Sequence, residues 1–177
     1  MVAPEGSRSD GLLWVVAQAE AEIVQRYGFL DDAEQAVSAA MFDPPDGAFL
    51  VARRGDAAGP PVGGAGVRAI SPGIGEVRRL WLDPGWRRRG IARLLLAELE
   101  HASRDIGLRT LCLTTGDNQP EAVSLYVATG WRRVAIDKSA EGFRFSKKLG
   151  SGEVTDEIRS RRNTANTRSE EWDSKNP

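Results

Sequence analysis

The hexapeptide Arg87-Arg88-Arg89-Gly90-Ile91-Ala92 stands between a predicted strand and a predicted helix, and this junction decides the fold. The strand covers residues 74–82 and stops at Asp83-Pro84, and the helix covers residues 90–106, where apolar residues recur at helical spacing. The first turn of a helix leaves backbone N–H groups without intrahelical partners, and the aligned peptide dipoles add partial positive charge there. The pattern therefore indicates a cradle for a phosphate group, although an arginine-rich turn also suits an ordinary solvated surface.

Hydrophobic periodicity on both sides of the junction predicts the remaining elements. Asp10 and Asp31 are candidate caps of two early helices, Gly28 ends the first of them, and Pro120 begins a late helix. The predicted helices cover 11–26, 31–41, 90–106 and 120–129, and the predicted strands cover 48–53, 62–70, 74–82, 108–115, 131–136 and 142–149. Two helices, then strands, then strand–helix–strand–helix–strand predict an α/β or α+β domain with a mixed sheet.

Length and charge limit the domain organisation and the partners. The 177 residues suit one domain over 1–149, followed by a tail over 150–177 that carries few large apolar residues and is predicted to be disordered. With 24 Lys and Arg against 25 Asp and Glu, the chain has no general basic field, so we expect no nucleic-acid partner.

Cysteine usage and hydropathy indicate a compartment. The one cysteine, Cys112, lies in the apolar run Leu111-Cys112-Leu113, which is typical of a buried strand thiol and excludes a disulfide or a cysteine-based metal site. No metal is expected. No apolar run approaches the ~20 residues of a membrane span, and the N-terminus lacks a secretion signal. The sequence thus predicts a cytoplasmic protein without a membrane partner.

Three blocks in one order resemble the GNAT superfamily of acetyl-CoA-dependent N-acetyltransferases. They are the strand Glu76-Val77-Arg78-Arg79-Leu80-Trp81-Leu82-Asp83-Pro84, the R-x-x-G-x-A turn from Arg87 to Ala92, and Gln119-Pro120-Glu121-Ala122-Val123-Ser124-Leu125-Tyr126 with Gly130-Trp131. The resemblance covers roughly residues 10–149. It implies a mixed, mostly antiparallel sheet flanked by about four helices. It also implies a first strand before the first helix, and because residues 2–9 carry a weak strand pattern, that strand is expected to be short or missing.

The resemblance implies a binding site for acetyl-CoA as cosubstrate. The backbone amides of the turn and the helix start would hold the pyrophosphate, with the arginine side chains steering it, and the strand end would lie along the pantetheine arm. The N–H of Leu82 would polarise the thioester carbonyl. A plain buried strand is compatible with the same residues. The implied contacts are Leu80, Trp81, Leu82, Arg87, Arg88, Arg89, Gly90, Ile91, Ala92, Arg93 and one amide side chain, from Gln119 by the spacing or from Asn118, which otherwise caps the helix.

The family resemblance also implies two catalytic residues. Tyr126 would act as the general acid that protonates the leaving thiolate, the alternative being a tyrosine that only packs in the core. Glu76 is the candidate general base, six residues before Leu82, a spacing that puts both on one side of an unbulged strand. A pairing of Glu76 with Arg78 or Arg79, or an exposed acid at the start of the strand, is the other interpretation, and a water chain would then replace Glu76 as base.

Two classes of function remain at the level of sequence. The first is an enzyme that moves acetyl to a primary amine of a small molecule or a peptide, by direct attack in a ternary complex, because no cysteine is placed to act as nucleophile. The second is a binding module, either a non-catalytic acyl-CoA sensor or a protein that binds phosphate or nucleic acid. The sequence leaves open the amine acceptor and whether the protein forms a homodimer.

Overall fold

The structure is a computed structural model that describes residues 1–31, 35–134 and 142–150. The predicted tail from residue 151 onward, part of the predicted second helix and the end of the predicted strand over 131–136 therefore lie outside the described residues. Within them, no helix is long and apolar enough to cross a membrane.

A mixed sheet of seven strands, in the order β1-β2-β3-β4-β5-β7-β6, forms the centre of the molecule. The strands are β1 Val2–Pro4, β2 Gly47–Arg53, β3 Pro61–Ser71, β4 Ile74–Leu82, β5 Thr110–Thr115, β6 Arg132–Val134 and β7 Phe143–Lys148. The β4–β5 pair is parallel, and the other described pairs are antiparallel. The first strand is present and short, with three residues paired to β2.

The described part of the chain contains three α-helices rather than about four. They are α1 Asp10–Tyr27, α2 Ile91–Asp105 and α3 Pro120–Ala128. Where the second predicted helix was expected to continue to Met41, the chain forms only a 3-10 turn over Ala39–Phe42, in which the Ala40 N–H donates to the Ser38 hydroxyl. Pro44 disfavours helical geometry at the residue before it, so the turn does not extend.

The ends of α1 show one correction and one confirmation. Ser9, not Asp10, is the N-cap, since its hydroxyl accepts a hydrogen bond from the Leu12 N–H at 3.1 Å. Gly28 ends the helix in the left-handed conformation, with φ of 85°.

Two apolar cores lie on opposite faces of the sheet. On one face, Leu12 and Val15 of α1 pack against Phe42, Phe49 and Trp81. On the other face, α2 and α3 pack on the alternate residues of the strands; this larger cluster includes Leu50, Val67, Val77, Leu82, Leu95, Leu99, Leu111, Leu113, Tyr126 and Phe145. The alternation of strand side chains therefore assigns each residue of β4 to one helix layer or the other.

The seam between β4 and β5 opens partway along the strands. The two strands pair only from Ile74 opposite Thr110 to Glu76 opposite Cys112. Beyond Glu76, β4 continues to Leu82 beside β3, while β5 continues beside β7. Six residues of β4, from 77 to 82, thus have one edge that no described strand occupies.

A bulge bends β4 in this open half. The pairing with β3 shifts between Trp81 opposite Gly64 and Arg78 opposite Gly66, and Arg79 takes a φ of 58°. Val77 and Leu82, five residues apart, consequently pack in the same core. Regular alternation would put them on opposite faces.

Candidate functional site

A cleft of about 560 Å³ opens where β4 diverges from β5. Its walls come from the end of β4, the turn before α2, the first residues of α2, one side of α3 and Glu22 of α1. The predicted site residues that line it are Leu80, Trp81, Leu82, Arg87, Arg88, Gly90, Ile91, Ala92, Arg93, Gln119 and Tyr126. Three predicted site residues are not part of its wall: Glu76, Arg89 and Asn118.

The backbone of Leu82 faces this cleft. The N–H of the next residue, Asp83, donates to the Val62 carbonyl oxygen on β3 at 2.9 Å. Since successive peptide groups of a strand point to opposite sides, the Leu82 N–H and carbonyl point away from β3. The Leu82 carbonyl oxygen accepts a hydrogen bond from Arg87 Nε at 2.9 Å on that side. The N–H of Leu82 is therefore a backbone donor directed into the cleft.

The turn before α2 has the geometry of an anion cradle. Arg88 and Gly90 both adopt positive φ, at 62° and 81°. Gly90 is the N-cap residue and has no side chain to cap the helix, so the first amides of α2 stay open toward the cleft. Ile91, Ala92 and Arg93 carry these amides, and the helix dipole adds positive potential there.

The three arginine side chains of the turn have different surroundings. Arg87 is half-buried and donates to Glu22 and to the Leu82 carbonyl oxygen. Arg89 lies over the Trp86 ring, with its guanidinium carbon 4.8 Å from the ring centroid. Arg88 is exposed and lines the cleft. Of the three, Arg88 therefore has the geometry to meet a ligand in the cleft directly.

Glu22 is a site residue that the sequence analysis did not single out. Its carboxylate accepts hydrogen bonds from Trp81 Nε1 at 2.7 Å, from Arg26 at 2.6 Å and from Arg87. Burial raises the pKa of Glu22, but the hydrogen bonds from Arg87, Arg26 and Trp81 outweigh it, so the pKa lies below its ordinary value. A signal existed in the sequence, because residues 22 and 26 continue the helical stripe of buried residues 12, 15 and 19 with charged side chains.

Tyr126 is buried in the core and also lines the cleft. The residue is 6% exposed, and its ring packs against Trp131 and Phe145, with centroids 5.8 and 5.5 Å away. Burial raises the pKa of the phenol above its ordinary value, so the group keeps its proton at neutral pH. The phenol thus meets two requirements of a general acid, a bound proton and access to the cleft.

The structure distinguishes between the two candidate amide side chains. Gln119 lines the cleft and occupies the N-cap position of α3, and its side-chain oxygen accepts a hydrogen bond from the Thr115 hydroxyl at 3.1 Å. Asn118 does not cap α3; its backbone carbonyl accepts a hydrogen bond from Arg26 at 2.8 Å. The geometry favours Gln119 as the residue that would meet a ligand.

Glu76 lies at the point where β4 and β5 separate, but on the α1 face of the sheet. The expectation that it shares a face with Leu82 is wrong, because the bulge at Arg79 changes the alternation between the two positions. Its carboxylate accepts hydrogen bonds from Arg68 at 2.8 and 3.0 Å, and Arg78 Nε is 3.9 Å away. Glu76 therefore pairs across the strands with Arg68 and, at longer distance, with Arg78 within β4, one of the two pairings that the sequence suggested.

Comparisons with known proteins agree with this geometry. The family profile described as "Acetyltransferase (GNAT) family" matches residues 14–131. An "IAA acetyltransferase" of Azospirillum brasilense is 40% identical over 89 residues, which cover 49% of this chain and 56% of that protein. An uncharacterized N-acetyltransferase of Schizosaccharomyces pombe is 33% identical over 102 residues, which cover 57% of this chain and 61% of that protein. The chain thus spans little more than half of the length of these curated relatives.

Solved structures share the fold at low sequence identity. A PaiA N-acetyltransferase of Thermoplasma acidophilum in complex with coenzyme A has a TM-score of 0.63 at 18% identity, over 84% of this chain and 98% of that one. A GNAT superfamily phosphinothricin acetyltransferase of Sinorhizobium meliloti in complex with AcCoA has a TM-score of 0.66 at 18% identity, over 88% and 91% of the two chains. At these identities the likeness supports the fold alone.

Proposed function

Since this chain belongs to the GNAT family of acetyltransferases, we propose that it transfers an acetyl group from acetyl-CoA to a primary amine. One observation carries the proposal: the cleft combines an open strand edge, an uncapped helix N-terminus and a protonated phenol. Acetyl-CoA needs these three features, because it carries pantetheine amides, a pyrophosphate and a thiolate leaving group.

The proposed pose of acetyl-CoA follows the walls of the cleft. The backbone amides of residues 88–93 would hold the pyrophosphate, with the Arg88 guanidinium beside it. The pantetheine arm would lie along residues 80–82 and use the edge that β5 leaves free, as an added strand does. Gln119 would reach the cofactor from α3, whereas Asn118 and Arg89 would contribute only through their neighbours.

The proposed reaction needs no covalent enzyme intermediate. The neutral amine attacks the thioester carbonyl, and the C–N bond forms while the carbonyl oxygen becomes an oxyanion that the Leu82 N–H stabilises. The C–S bond then breaks, and the sulfur takes the phenol proton of Tyr126. The amine loses its extra proton to a base. The base then releases a proton to solvent, Tyr126 takes one back from solvent, and the products are an acetamide and coenzyme A.

Glu76 remains our proposal for the base, acting through water. It occupies the last β4 position that pairs with β5, at the apex of the opening, but it is not part of the cleft wall. A proton leaving the amine would therefore cross at least one water before reaching the carboxylate. Replacing Glu76 with Gln should shift the pH–rate profile toward alkaline pH, and an unchanged profile would remove Glu76 as the base.

Two measurements on the purified chain test the proposal. Acetyl-CoA at a hundred times its dissociation constant should raise the free energy of unfolding by about 2.7 kcal/mol. Thiol release from acetyl-CoA should then appear with at least one member of a panel of polyamines, aminoglycosides, amino acids, peptides and phosphinothricin, the last taken from the name of the Sinorhizobium meliloti protein. Binding without thiol release across the panel would favour a non-catalytic acyl-CoA sensor, and absence of binding would overturn the cofactor assignment.

A further inference from the structure

Glu22 connects α1 to the end of β4 through two separate contacts. Its Oε2 atom accepts hydrogen bonds from Trp81 Nε1 at 2.7 Å and from Arg87. Arg87 in turn donates through Nε to the carbonyl oxygen of Leu82 at 2.9 Å. The Glu22 carboxylate therefore holds Leu82, whose N–H points into the cleft, in two ways. It binds the side chain of the preceding residue, Trp81, and through Arg87 it is linked to the Leu82 carbonyl oxygen.

The same carboxylate is linked to the helix that carries Tyr126. Oε1 of Glu22 accepts hydrogen bonds from Arg26 at 2.6 and 3.0 Å. Arg26 also pairs with Glu121 in the first turn of α3 and donates to the Asn118 carbonyl oxygen at 2.8 Å. Oε2 of Glu22 is thus linked to the end of β4, which carries the Leu82 N–H, and Oε1 is linked through Arg26 to α3, which carries Tyr126.

We infer that Glu22 is a positioning residue that sets the distance between the end of β4 and α3 across the cleft. The inference rests on the proposed function, because Glu22 would hold the Leu82 N–H and the Tyr126 phenol at the separation in which both act on one thioester. It also changes the role of Arg87, which acts through Leu82 and does not hold the pyrophosphate. The pantetheine region of the cleft depends on Glu22, whereas the phosphate cradle of residues 88–93 does not.

The test compares two probes that differ in the part of the cleft they fill. Coenzyme A would reach both regions, while 3′-phospho-ADP carries the pyrophosphate but lacks the pantetheine arm. In Glu22→Gln, we expect calorimetry to show about tenfold weaker binding of coenzyme A and unchanged binding of 3′-phospho-ADP, together with a fall in kcat of about tenfold or more. Arg87→Lys should give the same pattern, because lysine cannot donate to Leu82 and Glu22 in a fork.

A matched control comes from a second ion pair outside the cleft. Glu5 accepts hydrogen bonds from Arg53 at 2.7 and 3.1 Å and is 14% exposed, against 22% for Glu22. Glu5→Gln should lower thermal stability without changing either affinity or kcat. The double variant of Glu22→Gln with Arg87→Lys should lose less than the sum of the two single losses, because the two residues share one hydrogen-bonded contact.

The possible outcomes separate this inference from the proposed function. A wild-type chain that does not bind coenzyme A overturns both. Wild-type binding with equal losses for the two probes in Glu22→Gln, or with no loss for either, overturns the inference and leaves the proposed function standing. An Arg87→Lys variant that loses 3′-phospho-ADP binding would return Arg87 to the pyrophosphate and also overturn it.

Discussion

Tyr126 shows how one residue combines packing with chemistry. Its ring contributes to the core through Trp131 and Phe145, and the residue also lines the cleft. No described group forms a hydrogen bond with the phenol, so the proton is not committed to another acceptor. The burial that packs the ring also raises the pKa of the phenol, so the group is protonated at neutral pH.

Replacing Tyr126 with Phe should therefore separate turnover from binding. The ring contacts survive in Phe, so the dissociation constant of coenzyme A should change little, while kcat should fall about 10² to 10⁴-fold with the lost acid. Steady-state kinetics and calorimetry measure the two quantities. Tyr27→Phe, at the other tyrosine of the chain, is the matched control and should leave kcat unchanged. Equal kcat in wild type and Tyr126→Phe would assign Tyr126 to packing alone.

Glu22 makes a second prediction at this scale, for stability against pH. Its pKa is lowered below the ordinary value of 4.5 in the folded chain, so the folded state binds fewer protons at this group than the unfolded state. Its contribution to stability is complete above the unfolded pKa and is lost as the pH falls through the folded pKa. Urea unfolding of Glu22→Gln and wild type should therefore differ at neutral pH and converge at acidic pH. If the free energies of unfolding still differed at acidic pH, the hydrogen-bond geometry of Glu22, and not its charge, would stabilise the fold.

The start of α2 permits an element-scale test, because the helix has glycines of similar geometry at both ends. Gly90 has a φ of 81°, Gly107 has a φ of 84°, and a Cβ at either position would meet no atom within 4 Å. Alanine should thus cost about 1 to 2 kcal/mol of stability at either end through backbone strain. Only Gly90→Ala should also weaken the binding of coenzyme A, because only the N-terminal end of α2 faces the cleft. Equal affinities of the two variants in calorimetry would contradict the assignment of the cradle to residues 88–93.

An element can be predicted from sequence where local interactions determine it, and not where tertiary contacts do. The strand β4 was predicted at residues 74–82 and observed at Ile74–Leu82, because Asp83-Pro84 ends it locally. Its bulge could not be predicted, since Arg79 adopts positive φ without being Gly or Asn; the Glu20 carboxylate on α1, 3.0 Å from the Arg79 guanidinium, contributes to this conformation. For the same reason the face of Glu76 was predicted wrongly while the cleft-lining residues of the turn and α3 were found. Glu22 joins the site only through tertiary contacts, so its role follows from the fold.

At the scale of the whole molecule, the cleft lies at the seam between two parts of one sheet. Strands β1 to β4 form one antiparallel part, and β5, β7 and β6 form the other. Only three residue pairs of β4 and β5 join the two parts through the sheet itself. The two parts are also joined by the buried cluster on the sheet face that α2 and α3 cover, and by the Arg26 contacts between α1 and α3. A ligand that fills the seam therefore touches both parts at once.

This arrangement predicts where coenzyme A should slow amide hydrogen exchange. Opening of the seam requires few pairs to break, so the unpaired edge of β4 should exchange by local fluctuation in the free chain. Bound coenzyme A should protect the amides in the segment 80–82 that point away from β3, that of Leu82 among them, by pairing with the edge, and those of residues 91–93 by accepting their hydrogen bonds. The β1–β2 pair lies at the far edge of the sheet and serves as the internal control, with unchanged exchange. Exchange measured by mass spectrometry with and without coenzyme A checks both regions. Protection at residues 91–93 without protection at 80–82 would mean that the cofactor is held by its phosphates alone, and the strand-edge part of the proposed pose would then be wrong.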